Sequence, residues 1–170
     1  ENVDNPENLK KIIQVLNQLV ETYQMPVIVS THPRTRKRLE EMKDVKVNDQ
    51  VNFMKPFGFF DYINLQMNAL CTVSDSGTIS EESSILNFPA ISLRQSMERP
   101  EAQDAGTIIL SGFDPQRVLD SIQLVINEFK QNGGYKKIPD GYEITNTSWR
   151  VLKLIMGNAG LSNRWHGVQK

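Results

Sequence analysis

Apolar residues recur along this chain with two alternating periods. Leu9, Ile12, Ile13, Leu16, Leu19 and Val20 fall on one face of a helix, with Asn5 placed to cap it and Pro6 at its first position. Val27-Ile28-Val29-Ser30-Thr31 then runs without polar alternation, which predicts a strand buried on both faces. A helix with a basic outer face follows His32-Pro33 to about Glu41, then a strand over Val51 to Met54 and a helix from about Phe59 to Asn68. The next strand is expected at Ala69 to Val73, a helix from Gly77 to about Leu86, and a strand over Ala90 to Leu93. A polar loop leads to a strand at Thr107 to Leu110. The last helix of the series carries Val118, Leu119, Ile122, Val125, Ile126 and Phe129, starts on Asp114-Pro115 and stops at Asn132-Gly133-Gly134.

Contiguous apolar strands alternating with amphipathic helices imply parallel pairing through right-handed crossovers. The expected fold class is therefore α/β, a doubly wound Rossmann-like parallel sheet. After Gly134 the alternation stops. A further helix over Ser148 to Met156, with Trp149, Leu152 and Ile155 on one face, and a polar tail expected to be mobile form a C-terminal segment. The predicted division is a Rossmann-like domain over residues 1–143 and a helix and tail over 144–170.

Composition narrows the function classes. The 170 residues hold 39% hydrophobic and 23% charged side chains, enough for a packed core and too balanced for disorder. With 19 Lys plus Arg against 20 Asp plus Glu, the net charge of -1 gives no surplus to attract nucleic acid or an anionic membrane. The apolar runs are strand-sized, so no segment is expected to span a bilayer. The single cysteine, Cys71, rules out an internal disulfide and suits a reducing cytoplasm. The chain opens on Glu1-Asn2-Val3-Asp4 rather than on methionine, so it is expected to be a piece of a larger protein.

In an open parallel sheet, ligands bind beyond the carboxyl ends of the strands. His32, the string Asp75-Ser76-Gly77-Thr78, Arg94 and the string Glu98-Arg99-Pro100-Glu101 all follow predicted strands, on one edge of the sheet. Ser76 ends a strand and opens a helix, and Gly77 lets a ligand approach the backbone, so the N–H groups of Gly77 and Thr78 can face a phosphate. Glu82, one helical turn on, leans back toward the same rim and suits a pair of sugar hydroxyls. The plainer alternative makes Ser76 an N-cap and Glu81 and Glu82 first-turn acids that complement the helix dipole. Arg99 can neutralise a diphosphate with its planar fork, or pair with Glu98 or Glu101. His32 either touches a ligand or is hydrogen-bonded within its own loop. Phe57, Phe59, Phe60 and Tyr62 can pack beside a base, but a cluster at a strand–helix junction is expected mostly to fill core space. His166 has no second ligand at metal spacing, so no metal site is predicted.

These blocks resemble a known family. Asp75-Ser76-Gly77-Thr78-Ile79-Ser80-Glu81-Glu82-Ser83, followed by Phe88-Pro89 and Glu98-Arg99-Pro100-Glu101, is similar to the C-terminal half of the non-hydrolysing UDP-N-acetylglucosamine 2-epimerases. The resemblance covers Glu1 to about Phe129, with Glu1-Asn2 similar to the end of a His-Arg-x-Glu-Asn motif. Lys55-Pro56-Phe57-Gly58-Phe59-Phe60-Asp61-Tyr62 resembles the branch that makes UDP-N-acetyl-L-fucosamine for surface polysaccharide. The resemblance implies the second Rossmann-like domain of a GT-B arrangement, in which Ser76, Gly77 and Thr78 hold the diphosphate, Glu82 the ribose and Arg99 a phosphate. The backbone near Tyr62 would hold uracil, and His32 would line the cleft. Thr78 stands where relatives often carry a second glycine, which keeps the N–H but narrows the clearance.

The implied reaction inverts C2 of a UDP-2-acetamido sugar by anti elimination of UDP and re-addition, with no cofactor, metal or nicotinamide. Its acids and bases lie in the N-terminal half, so the resemblance places no catalytic residue in this chain and implies that the chain alone is inactive. The implied partners are the UDP-sugar, the N-terminal Rossmann-like half and, for the whole enzyme, a second copy in a homodimer. The C-terminal helix would cross back to the first domain. Two other readings stay open: the nucleotide-binding half of a GT-B glycosyltransferase, which would need an acceptor, and a stand-alone α/β nucleotide-binding module.

Overall fold

A computed structural model describes residues 6–42, 45–165 and 167. Asn5, the Glu1-Asn2 pair and His166 lie outside the described residues. The chain divides into two compact units, Glu1–Pro139 and Asp140–Lys170. The first contains α1 (Pro6–Tyr23), β1 (Val27–Ser30), α2 (Pro33–Glu41), β2 (Val51–Met54), α3 (Phe59–Asn68), β3 (Thr72–Ser74), α4 (Ile79–Leu86), β4 (Ala90–Ser92), α5 (Pro100–Asp104), β5 (Ile109–Leu110) and α6 (Pro115–Asn132). The second contains α7 (Thr147–Asn158) and α8 (Ser162–Trp165).

The strands are parallel throughout, as contiguous apolar runs joined by helices require. They form two ladders, β1-β2 and β3-β4-β5, where a single sheet was expected. Val27 pairs with Val51 in the first, and Val73 with Ile91 and Ile91 with Ile109 in the second. One apolar core nevertheless unites them. Val15 and Leu19 of α1 and Val118, Ile122, Val125 and Ile126 of α6 close over Ile91, with Val27, Val73 and Ile109 packed against the group. All three residues of β4 are buried, so this strand is covered on both faces, by α1 and α6 over Ile91 and by α4 on the other side.

The ends of α6 follow from its sequence. Asp114 Oδ1 accepts from the Arg117 N–H at 2.9 Å, Pro115 occupies the first turn, and Gly133 caps the other end in the left-handed region at φ 73°. Gly134 is more constrained, at φ 117°, and a Cβ there would collide with the side-chain amide of Asn87. Asn87 is itself the left-handed cap of α4, and its Oδ1 accepts from the Tyr135 N–H at 2.9 Å. Gly134→Ala is therefore expected to lower stability by about 1–3 kcal/mol, measured by urea unfolding, and an unchanged midpoint would contradict this packing.

Several expectations need correction. The strand at Val27 is not buried on both faces: inward and outward positions alternate, and Ile28 is 51% exposed. β3 begins at Thr72 rather than Ala69, and α4 begins at Ile79 rather than Gly77. The polar loop after β4 contains the short helix α5, which starts on Pro100 and buries Ala102. Phe59 and Phe60 do not fill the core; they are 73% and 84% exposed and meet each other edge to face.

Burial pushes the Cys71 thiol up to about 12 and raises the hydroxyls of Tyr23, Tyr62 and Tyr135 above their ordinary value. Each group stays neutral in the folded chain at a pH where the unfolded chain ionises. Their contribution is thus fully present below the unfolded thiol value of about 8.5 and is lost as pH rises through the folded values. Urea unfolding at about pH 8 and about pH 10.5 should show lower stability at the higher pH; equal stability would contradict the burial of these groups.

Candidate functional site

The site is built where β3 gives way to α4. After Ser74 the chain turns through Asp75-Ser76-Gly77-Thr78, and the turn is held by short polar side chains. The Ser76 N–H donates to Ser74 Oγ at 3.1 Å, and Ser76 Oγ in turn accepts from the Thr78 N–H at 3.4 Å while sharing a proton with Thr78 Oγ1 at 2.9 Å. Ser76 is thus a local cap even though the helix starts later. Thr78 already has helical dihedrals, and Glu81 and Glu82 donate their N–H groups back to its carbonyl at 3.1 and 2.9 Å. The Gly77 N–H makes no hydrogen bond among the described residues, so it is a donor left for a ligand.

Gly77 is required by close approach. A Cβ at this position would collide with Glu98 Oε2 and would sit 3.6 Å from Arg94 Nη1. Arg94 and Glu98 form a two-pronged pair, Nη1 to Oε2 at 2.8 Å and Nη2 to Oε1 at 2.9 Å. A cavity of about 400 Å³ opens beside them at the carboxyl end of β5, lined by Arg94, Lys11, Arg117, Ser111 and Asp114 among others. At the start of α4 itself, Asp75, Ser76 and Thr78 are exposed.

Glu82 points back as helical geometry requires, and its Oε2 accepts from Gln66 Nε2 at 2.7 Å. Gln66 is only 2% exposed, and its Oε1 has no partner among the described residues. It lies four residues after Tyr62 on α3, so both side chains share a helical face turned toward α4. Burial, then the negative charges of Glu82 and Asp75, raise the Tyr62 hydroxyl above its ordinary value. Ser76, Gly77, Thr78, Glu82 and Tyr62 are therefore gathered in one place, with Gln66, Arg94 and Glu98 added by the structure.

The other two candidates are held differently. Arg99 Nε lies 3.0 Å from Glu81 Oε1, an ion pair with the first turn of α4, and the approach lies off the N–H direction. His32 caps α2, its Nδ1 accepting from the Arg34 N–H at 3.3 Å, so it serves its own loop. No group of three or more metal-ligating side chains occurs among the described residues. No helix among them is long and apolar enough to cross a membrane.

This geometry can hold a ligand with an anionic middle and a hydroxyl-bearing flank. Donors and a cation stand at the start of α4, and an acceptor carboxylate stands one turn along. Comparison with known proteins shows what the chain as a whole is similar to. The family profile described as UDP-N-acetylglucosamine 2-epimerase matches residues 1–156. The UDP-N-acetylglucosamine 2-epimerase of Methanocaldococcus jannaschii is 37% identical over 131 residues, which is 75% of this chain and 36% of that protein. The solved structure of the Rickettsia bellii enzyme superposes with a TM-score of 0.82 at 41% identity, over 94% of this chain and 44% of that one. The M. jannaschii enzyme in complex with UDP-GlcNAc and UDP superposes with a TM-score of 0.80 at 31% identity, over 92% of this chain and 42% of that one. This chain thus spans less than half the length of these relatives, aligned with their C-terminal half, and has their GT-B-like α/β fold. It belongs to the UDP-N-acetylglucosamine 2-epimerase family.

Proposed function

We propose that this chain is the UDP-binding part of an enzyme that inverts C2 of a UDP-2-acetamido sugar. The observation that carries the reading is an unbonded Gly77 amide at the start of α4 together with the Glu82 carboxylate, which lies one helical turn after Thr78. Ser76, Gly77 and Thr78 receive the diphosphate, whose charge suits a helix N-terminus. Glu82 accepts from the two ribose hydroxyls, with Gln66 holding one of its oxygens. The backbone near Tyr62 lies beside uracil. Arg99 is close enough to α4, through Glu81, to be released to a phosphate, and His32 lines the edge of the cleft.

In the proposed reaction a base removes the C2 proton, the C1–O bond breaks and UDP leaves, giving a 2-acetamidoglycal. A proton returns to C2 on the opposite face and UDP oxygen re-adds at C1. This chain holds UDP through both steps. The groups that move the proton belong to a preceding Rossmann-like half, which also completes the open surface at α4, and the whole enzyme works as a homodimer. Residues 55–62 favour the UDP-N-acetyl-L-fucosamine branch.

Two assays on the 170-residue chain test this. Calorimetry is expected to show saturable binding of UDP. Incubation with UDP-N-acetylglucosamine is expected to give neither epimer nor free UDP, and steady epimerisation by the purified chain would overturn the division of labour.

A further inference from the structure

We propose that Glu98 is a built-in competitor for the diphosphate subsite, and that Arg94 is the cation a diphosphate takes over when it displaces Glu98. The proposal rests on the UDP-binding reading above and adds to it a residue pair that selects for the charge of the ligand. The Glu98 carboxylate lies against Gly77, on the spot that a Cβ would fill, while the Gly77 N–H makes no hydrogen bond among the described residues. A carboxylate over the start of a helix occupies the place of an anionic ligand. Both nitrogens of the Arg94 fork are committed to it, at 2.8 and 2.9 Å.

The two partners differ in freedom. Arg94 follows directly on β4 and its side chain is 25% exposed, whereas Glu98 lies in the connection to α5 and its side chain is 52% exposed. Glu98 can therefore swing into water while Arg94 stays where the phosphate arrives. The other basic side chain near the start of α4, Arg99, is already engaged with Glu81 at 3.0 Å. Two anions cannot share the position over Gly77, so a ligand must exceed the pull of one carboxylate on Arg94. A diphosphate carries more charge than the carboxylate it replaces; a monophosphate has less margin. The pair thus sets a threshold that an anionic group must meet before it reaches Arg94, and a ligand without a phosphate does not draw on it.

The test is calorimetric titration of wild type, Glu98→Ala, Glu98→Gln and Arg94→Ala with UDP, UMP and uridine. Removing Glu98 is expected to tighten UDP about fivefold, the upper end for an exposed ion pair. UMP, which must displace Glu98 as well, should gain by a similar factor, and uridine should not change. Arg94→Ala is expected to weaken UDP about tenfold or more. Should Glu98→Ala lose its fold by circular dichroism, Glu98→Gln supplies the same comparison. UDP affinity that is unchanged or weaker in the Glu98 variants, with wild type binding UDP, would overturn the competitor role. No UDP binding by wild type or by either Glu98 variant would instead overturn the UDP-binding reading itself.

Discussion

Glu82→Ala is expected to weaken UDP binding about tenfold to a hundredfold, because hydrogen bonds to a charged acceptor contribute about 1.5–3 kcal/mol. The carboxylate makes no other polar contact among the described residues than the one with Gln66, at 2.7 Å, so the change removes the ribose acceptor without opening the core. Loss of the carboxylate also leaves the Gln66 amide with neither end satisfied, and Gln66 is 2% exposed. The melting temperature should therefore fall modestly while affinity falls steeply. Calorimetry and thermal unfolding of the same preparation separate the two effects. Unchanged affinity would return Glu82 to the role of a first-turn acid on α4.

The second large effect concerns the core. Ile91 is fully buried at the centre of the ladder and packs under α1 and α6, the two long helices that hold β4 from one side. Ile91→Ala leaves a cavity that its neighbours cannot fill without shifting, at a cost of about 2–5 kcal/mol. For a chain of this size that is a fall of roughly 5–15 °C in melting temperature. Although β4 also leads to Arg94, Ile91 itself is buried away from the site, so UDP affinity measured well below the transition should stay close to wild type. A shift under about 2 °C would contradict the central placement of this residue.

Much of the fold was legible because long periodic segments leave little choice. The Leu9 to Val20 face, the cap at Asp114 and the stop at Gly133 each specify a helix locally, and the structure uses all three. What failed was non-local. Val27-Ile28-Val29 is apolar at every position, and such a run does not reveal which face lacks a covering helix; Ile28 lies on that face. α5 escaped because five residues are too few to show a period.

The site divides the same way. Ser76 and Glu82 could be found because a strand end, a glycine and a helix start are adjacent in sequence. Gln66 lies between Leu65 and Met67 and carries no mark of burial, although its spacing from Tyr62 would have placed both on one face. For Arg99 the sequence offered a phosphate, or an ion pair with its neighbours Glu98 or Glu101. The structure adds a partner distant in sequence, Glu81, which is brought to it by the packing of α5 against α4. The exposed Phe59 and Phe60 show the limit of reading aromatic clusters as core, since hydrophobicity alone does not say what covers a side chain.

The central claim is that the start of α4 is a nucleotide diphosphate site with a ribose acceptor one turn along. Titrating ¹⁵N-labelled chain with UDP, and following the backbone amides by NMR, tests it most directly. The account predicts saturable shifts that are largest at Gly77 and Thr78 and extend to Glu82 and the Gln66 side-chain amide. Absence of saturable shifts, or shifts confined to other segments such as α2 and His32, would contradict it.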